Sequence, residues 1–102
     1  MTPPTSPQDY TFDSITIENT KPGKDLLRVW IKPTAVGATI RNITFRNITV
    51  LNPTDNKIRL TAGPGTIAGV TFDHVVLGGK PILSAADPRI VNEGATGIVV
   101  IP

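Results

Sequence analysis

Apolar and polar residues alternate along three segments of the chain, residues 10–17, 42–50 and 69–77. Alternation with a period of two is typical of half-buried β-strands, and the frequent threonine and isoleucine residues favour strand over helix. In each segment the alternation breaks at the same place, at the polar pairs 13–14, 46–47 and 73–74. A two-residue break at a fixed place predicts a corner between two short strands.

The three segments also align with one another in sequence. Their phenylalanines, Phe12, Phe45 and Phe72, match at intervals of 33 and 27 residues, and a fourth, truncated repeat begins at residue 94. Two more apolar columns follow the phenylalanines: Ile15, Ile48 and Val75, then Ile17, Val50 and Leu77. A unit of a few short strands cannot bury its own apolar face and must stack on a neighbouring unit. We therefore predict an all-β fold, a parallel β-helix of about three coils in a single-stranded solenoid.

A second strand is predicted after each of these segments, at residues 27–32, 57–61 and 81–84. The structural alternative is an antiparallel sandwich of eight short strands. The repeat favours the β-helix, because a sandwich has no reason to repeat its sequence in register.

The second strand column carries the candidate binding residues. With Leu27, Val29 and Ile31 pointing inward, the alternation places Arg28, Trp30 and Lys32 on the outer surface. In the next coil the same reasoning turns Ile58 and Leu60 inward and exposes Lys57 and Arg59. A spacing of 29 residues, from Val29 to Ile58 and from Ile31 to Leu60, predicts Lys57 over Arg28 and Arg59 over Trp30.

This predicted patch combines an indole with four cations. Indole rings stack on sugar faces, and Lys and Arg bind the carboxylates of acidic glycans. The predicted carbohydrate-binding residues are Arg28, Trp30, Lys32, Lys57 and Arg59. The alternative is that Trp30 covers a neighbouring loop or an oligomer interface, while the cations keep a sheet edge soluble.

Length and composition narrow the function classes. The 102 residues suit one domain, predicted as a flexible Pro-rich segment at 1–9 and a β-helix domain at 10–102. A net charge of +2 with 5% aromatic residues argues against a nucleic-acid partner. The chain has no cysteine and one histidine, which excludes disulfides, thiolate chemistry and a multi-histidine metal site, so we predict no metal and no cofactor. No apolar run is long enough for a membrane span, and the N-terminus lacks the charged-then-apolar signature of a secretory signal.

The runs at residues 40–50 and 69–82 resemble coils of pectin-lyase-like right-handed parallel β-helices, and most resemble the C-terminal coils of glycoside hydrolase family 28, the polygalacturonases. The resemblance covers roughly residues 10–100, and it implies a right-handed helix, a plant cell-wall or acidic polysaccharide as partner, and a secreted location within a longer precursor. That superfamily also contains lyases, esterases and non-catalytic modules, so the fold alone does not name an activity.

The motifs of family 28 are mostly missing. Its Asn-Thr-Asp, Asp-Asp and Gly-His-Gly motifs do not occur in this chain. Residues 29–33 resemble the family's Arg-Ile-Lys segment: Lys32 matches the lysine, Trp30 stands in place of the arginine, and Arg28 lies two residues away. The family's strand column at this point forms its substrate cleft, which supports the predicted patch while no catalytic residue is assigned.

Other polar residues are better explained by structure than by catalysis. Glycoside hydrolysis needs two carboxyl groups about 5 to 9.5 Å apart, but Asp13 and Asp73 share one corner with Arg46 between them, which predicts a surface charge ladder. A Ser84–His74–Asp73 triad is disfavoured, because adjacent strand side chains point to opposite faces.

Three functional hypotheses follow. The leading one is a non-catalytic polysaccharide-binding module. The second is the C-terminal part of a polygalacturonase-like hydrolase that acts on pectin. The third is a structural unit that forms homo-oligomers or is capped at its ends, because a short coil stack leaves unpaired backbone groups at both ends.

Overall fold

The computed structural model describes residues 10–18, 21, 23–31, 37–52 and 55–102. Strands make up 63% of these residues and none of them is helical, so the chain belongs to the all-β class, as predicted. The predicted segment at residues 1–9 and the candidate Lys32 lie outside the described residues. The strands are β1 (Thr11–Ile17), β2 (Leu27–Trp30), β3 (Thr39–Val50), β4 (Ile58–Thr61), β5 (Thr66–Leu77), β6 (Lys80–Pro81), β7 (Ile90–Glu93) and β8 (Ala95–Ile101).

The strands form two sheets, which the chain visits in turn. In the first sheet β1, β3, β5 and β8 lie side by side and parallel, and in the second sheet β2, β4 and β7 do the same. Only β6 is antiparallel, and it pairs with the end of β5. Because the long strands are parallel, the antiparallel sandwich considered above is wrong.

The predicted register of the first sheet is confirmed. Phe12 pairs with Phe45 and Phe45 with Phe72, and the rings stack with centroids 5.5 and 5.6 Å apart. The two apolar columns that follow the phenylalanines pair as expected. The buried members of these columns form part of one hydrophobic core, to which β4 adds the fully buried Ile58 and Leu60.

The predicted corners are confirmed by backbone conformation. Ser14, Asn47 and His74 stack one above the other with φ of 60°, 52° and 54°, in the left-handed region. A second corner begins at Asn42 (φ 54°), above which lies Gly69 (φ 82°). A Cβ on Gly69 would meet Asn42 Oδ1 at 2.8 Å, so a larger residue here would displace the Asn42 side chain and strain the backbone at its φ of 82°.

The predicted strand at residues 81–84 is wrong. Gly78 and Gly79 both have positive φ (59° and 80°) and form a tight turn that folds β6 back onto β5. Ile82 then packs into the core with 1% of its surface exposed. The second-sheet strand of this coil is instead β7, whose Ile90 pairs with Ile58.

Candidate functional site

The candidate site is the outer surface of the second sheet. Its strands are four residues long, and their alternate residues point away from the core. We call this surface the outer face, and its residues are Arg28, Trp30, Arg59, Thr61, Val91 and Glu93.

The predicted register across the outer face is wrong by two residues. Leu27 pairs with Ile58 and Val29 with Leu60, so the spacing between paired residues of β2 and β4 is 31 residues and not 29. Arg59 therefore lies beside Arg28, and Trp30 lies beside Thr61. A shift of two residues leaves every side chain on the face that the sequence predicted for it, because strand side chains alternate with a period of two.

Trp30 and Arg28 form a pair at the edge of this sheet. The indole is 42% exposed, and the guanidinium carbon of Arg28 lies 4.7 Å from the ring centroid. This is within the range of a cation–π contact. The pair therefore presents an apolar aromatic surface and a positive charge within a few ångströms of each other.

Arg59 is engaged by two carboxylates that the sequence analysis did not assign to the site. Its Nε donates to both carboxylate oxygens of Asp25 at 3.2 Å, and its Nη1 lies 3.2 Å from Glu93 Oε1. The hydrogen bond to Asp25, followed by that to Glu93, raises the pKa of Arg59 above its usual value. The Thr61 hydroxyl, 2.7 Å from Glu93 Oε1, and then Arg59 lower the pKa of Glu93. Arg59 is thus part of a charge network and is less available to an anionic ligand than predicted.

Lys57 is exposed but does not lie over Arg28 as predicted. Its carbonyl accepts a hydrogen bond from the Leu26 amide at 2.7 Å, which places Lys57 beside Leu26, two residues before the Arg28–Arg59 pair. Of the five predicted binding residues, the structure therefore brings Arg28 and Trp30 into contact, binds Arg59 to carboxylates, sets Lys57 apart, and does not describe Lys32.

A cavity of about 500 Å³ opens beside the Trp30–Arg28 pair, at the end of the molecule formed by β1 and β2. We call it the end cavity. Its walls are almost entirely apolar and include Tyr10, Phe12, Ile15, Leu27, Val29 and Trp30. The repeat alignment had assigned Phe12 and Ile15 to the core, yet they are 45% and 36% exposed because no strand covers this side of β1 among the described residues.

The acidic corner is a charge ladder, as predicted. Arg46 Nε lies 3.2 Å from Asp73 Oδ2, and Asn47 Nδ2 donates to Asp13 Oδ1 at 3.2 Å. The expectation that His74 and Asp73 point to opposite faces is wrong: His74 Nδ1 contacts the Asp73 carboxylate, because the left-handed φ of His74 turns the chain between them. The contact with His74, followed by that with Arg46, lowers the pKa of Asp73.

The carboxyl groups with displaced pKa values do not suit general acid catalysis. Asp73, Asp87 and Glu93 are all shifted downward by hydrogen-bonded or charged partners. A glycosidase acid needs a raised pKa so that it carries a proton near neutral pH. Within the part of the chain that the structure describes, His, Asp and Glu side chains do not gather in threes that could hold a metal ion, and no helix could cross a membrane.

Comparisons of the chain with protein families, with curated proteins and with solved structures find no match.

Sequence reasoning missed Asp25, Glu93 and the end cavity. Asp25 lies just before β2. The sequence signal for its role was a carboxylate next to a strand predicted to be cationic. Glu93 was missed because the third strand of the second sheet was predicted at residues 81–84 and not at β7. The cavity forms because β1 is an edge strand. The sequence indicates this only indirectly, since β1 holds the first residue of each apolar column.

Proposed function

We propose that this chain is a right-handed parallel β-helix unit that binds acidic polysaccharide at the Trp30–Arg28 pair without cleaving it. The alternation of the chain between two parallel sheets supports the coil arrangement. Parallel crossovers are right-handed in about 98% of cases, which supports the handedness. Because cell-wall polysaccharides are extracellular, the proposal includes a secreted location.

The single observation that carries the binding proposal is the contact between an exposed indole and a guanidinium on a flat sheet edge. A uronate residue has an apolar C–H face and a carboxylate on the same ring. The first matches the exposed surface of Trp30, and the second matches the N–H donors of Arg28. An acidic glycan therefore satisfies both groups at once, whereas a neutral glycan leaves the charge of Arg28 unused.

The carboxylates around the outer face support binding over hydrolysis. Asp25 and Glu93 both contact Arg59, and the pKa of Glu93 is lowered by the Thr61 hydroxyl and then by Arg59. Neither is placed to deliver a proton to a glycosidic oxygen, so we assign no catalytic residue to this chain and leave pectin hydrolysis as the weaker candidate.

The proposal is tested by calorimetric titration of polygalacturonate and of xylan into wild type and Trp30→Ala. We expect polygalacturonate to bind more tightly than xylan, and Trp30→Ala to weaken binding at least about 10-fold, as truncation of a central aromatic contact does. Leu83→Ala is the matched control, because Leu83 is exposed on the loop after β6. If neither glycan binds wild type, the proposal is wrong.

The role of charge is tested with arginine variants. Arg28→Gln should remove the preference for polygalacturonate, whereas Arg41→Gln, an exposed arginine on β3, should keep it. Glu93→Gln releases Arg59 from one carboxylate and should raise affinity for polygalacturonate about 2- to 5-fold, the range of an exposed ion pair. Equal losses in Arg28→Gln and Arg41→Gln would show that net charge, and not the pair, governs binding.

A further inference from the structure

The end cavity exposes residues whose counterparts in the next coils are core. Phe12 stands in the same column as Phe45 and Phe72, but the three are 45%, 6% and 0% exposed. Ile15 similarly continues the column of the fully buried Ile48. The inward side of β1 thus has the shape and polarity of a core that lacks a covering layer.

The backbone at this end is also incomplete. Among the described strands, β1 pairs only with β3 and β2 only with β4. Each therefore presents a row of N–H and C=O groups on its outer edge, which is a template for another strand. A small apolar ligand would fill the cavity and leave these backbone groups unpaired, so a partner that brings strand edges fits better.

The opposite end is built differently. The β5–β6 turn sets β6 beside the end of β5 and is followed by the buried Ile82, and Arg89 fixes β6 by donating to the carbonyl oxygens of Lys80 and Pro81 at 2.8 and 2.9 Å. Asn92 occupies the inward position next to Leu60, and its side-chain amide bonds the Ala95 backbone in both directions. Among the described strands β7 and β8 are also paired on one side only. The inward positions at this end, however, are held by the polar Asn92 and the half-buried Ile98 and Val100, so it does not expose core-type rings as the β1 end does.

We propose that two copies of this chain associate through their open ends, related by a twofold axis that sets β1 antiparallel to β1 of the partner subunit. A twofold arrangement joins identical edges and closes after two copies. The side chains it would bury are Tyr10, Phe12 and Ile15, with Trp30 at the rim.

The exposed apolar side chains supply part of such an interface. From the exposed fractions of Tyr10, Phe12, Ile15 and Trp30, they amount to about 400 Å² per copy, the size of the largest and often functional apolar patch on a monomer. This is about half of what a standard interface buries on each partner. The cavity walls and the paired strand edges add to it, which predicts a dimer of moderate affinity.

Residues 1–9 offer a poorer cover for this surface. They contain one large apolar side chain, Met1, and three prolines, which have no N–H group to pair with a strand edge. If they nevertheless covered the cavity, wild type would stay monomeric and deletion of residues 2–9 would produce the dimer.

The first test is sedimentation velocity from about 1 µM to 1 mM protein, the range that covers moderate affinity. We expect a monomer–dimer equilibrium, with Phe12→Lys weakening association at least about 30-fold, as loss of a buried interface aromatic does. Val99→Lys is the control, because Val99 is 50% exposed on β8 at the opposite end. A monomer throughout, or dimers lost in Val99→Lys and kept in Phe12→Lys, would overturn the proposal.

The second test determines how the two copies are arranged in the dimer. The chain has no cysteine, so Ser14→Cys at the centre of β1 and Thr96→Cys on β8 each introduce a single thiol. With a short bis-maleimide we expect covalent dimers from Ser14→Cys and none from Thr96→Cys. Head-to-tail stacking would give crosslinked dimers from neither, and it would rule out the twofold arrangement. Phe12→Lys leaves Trp30 and Arg28 in place, so glycan binding and dimer formation can fail independently.

Discussion

At the scale of single residues, the corners depend on a conformation that most side chains resist. Left-handed φ costs an ordinary residue about 1 to 2 kcal/mol, and asparagine less than most because its short amide bonds locally. Asn47 combines this conformation, at φ 52°, with a hydrogen bond from its Nδ2 to Asp13 in the neighbouring coil. The corner residue therefore both turns the chain and joins two strands of the first sheet.

Replacing Asn47 separates these two contributions. Asn47→Gly loses only the side-chain hydrogen bond, whereas Asn47→Ala also places an alanine at positive φ. We expect Asn47→Ala to unfold with a free energy about 1 kcal/mol lower than Asn47→Gly in urea denaturation. Equal stability of the two variants would mean that φ at this corner is not constrained.

Asp87 makes stability depend on pH at the end opposite the end cavity. Arg89 Nη2 donates to Asp87 Oδ2 at 2.6 Å, and this hydrogen bond with Arg89 is the main reason why the pKa of Asp87 is lowered. A carboxyl with a depressed folded pKa binds protons more weakly in the folded chain than in the unfolded one. Its stabilisation is therefore complete above the unfolded pKa, about 3.9, and is lost as the pH falls through the folded pKa.

Asp87→Asn should thus matter at neutral pH and not in acid. We expect the variant to lose about 1 kcal/mol of unfolding free energy at pH 7, the scale of a charge-assisted hydrogen bond that is partly exposed. The difference from wild type should shrink as the pH falls below about 4. Urea denaturation across this pH range measures it, and a difference that persists unchanged at low pH would contradict the assigned cause.

At the scale of strands, the sequence predicts the first sheet better than the second. Three stacked phenylalanines mark the register of β1, β3 and β5 without ambiguity. The second-sheet strands are four residues long and carry no such marker, so an alignment that moves by two residues satisfies the same inward and outward pattern. The faces of Arg28, Trp30 and Arg59 were therefore predictable, while their neighbours were not.

The third second-sheet strand was misplaced for a different reason. The apolar residues Ile82 and Leu83 suggested a strand, but the adjacent glycines at 78 and 79 form a hairpin turn first. A Gly-Gly pair after an alternating strand is itself a hairpin signal. Because tertiary packing then buries Ile82 without a second-sheet pairing, apolar pattern alone did not distinguish it from Ile90.

The loss of stability on shortening a phenylalanine should depend on how deeply that phenylalanine is buried in its column. We expect Phe72→Leu, in a fully buried position, to lower the unfolding free energy by at least about 1 kcal/mol, and Phe12→Leu, half exposed, by about half as much or less. Thermal and urea denaturation at a concentration where the chain is monomeric compare the two. The reverse order would contradict the position of β1 at the uncovered end.

At the scale of the whole molecule, the two sheets produce one outer face, which carries the proposed binding pair, and two unlike ends. The outer face runs across all three second-sheet strands, but carboxylates neutralise its centre at Arg59 and leave the Trp30–Arg28 pair at its edge. The pair thus lies where the outer face meets the end cavity. Composition and alternation predicted the indole and the cations, whereas the placement of Asp25 and Glu93 depends on contacts between coils that no sequence pattern marks.

The most direct measurement of the proposed binding is the fluorescence of Trp30, since it is the only tryptophan of the chain. Titration with an oligogalacturonate should produce a saturable change in its emission, and the affinity should fall as added salt shortens the screening length from about 10 Å at 0.1 M. A neutral oligosaccharide of equal length should bind more weakly. An acidic oligosaccharide that leaves the emission of Trp30 unchanged at every concentration would contradict the account.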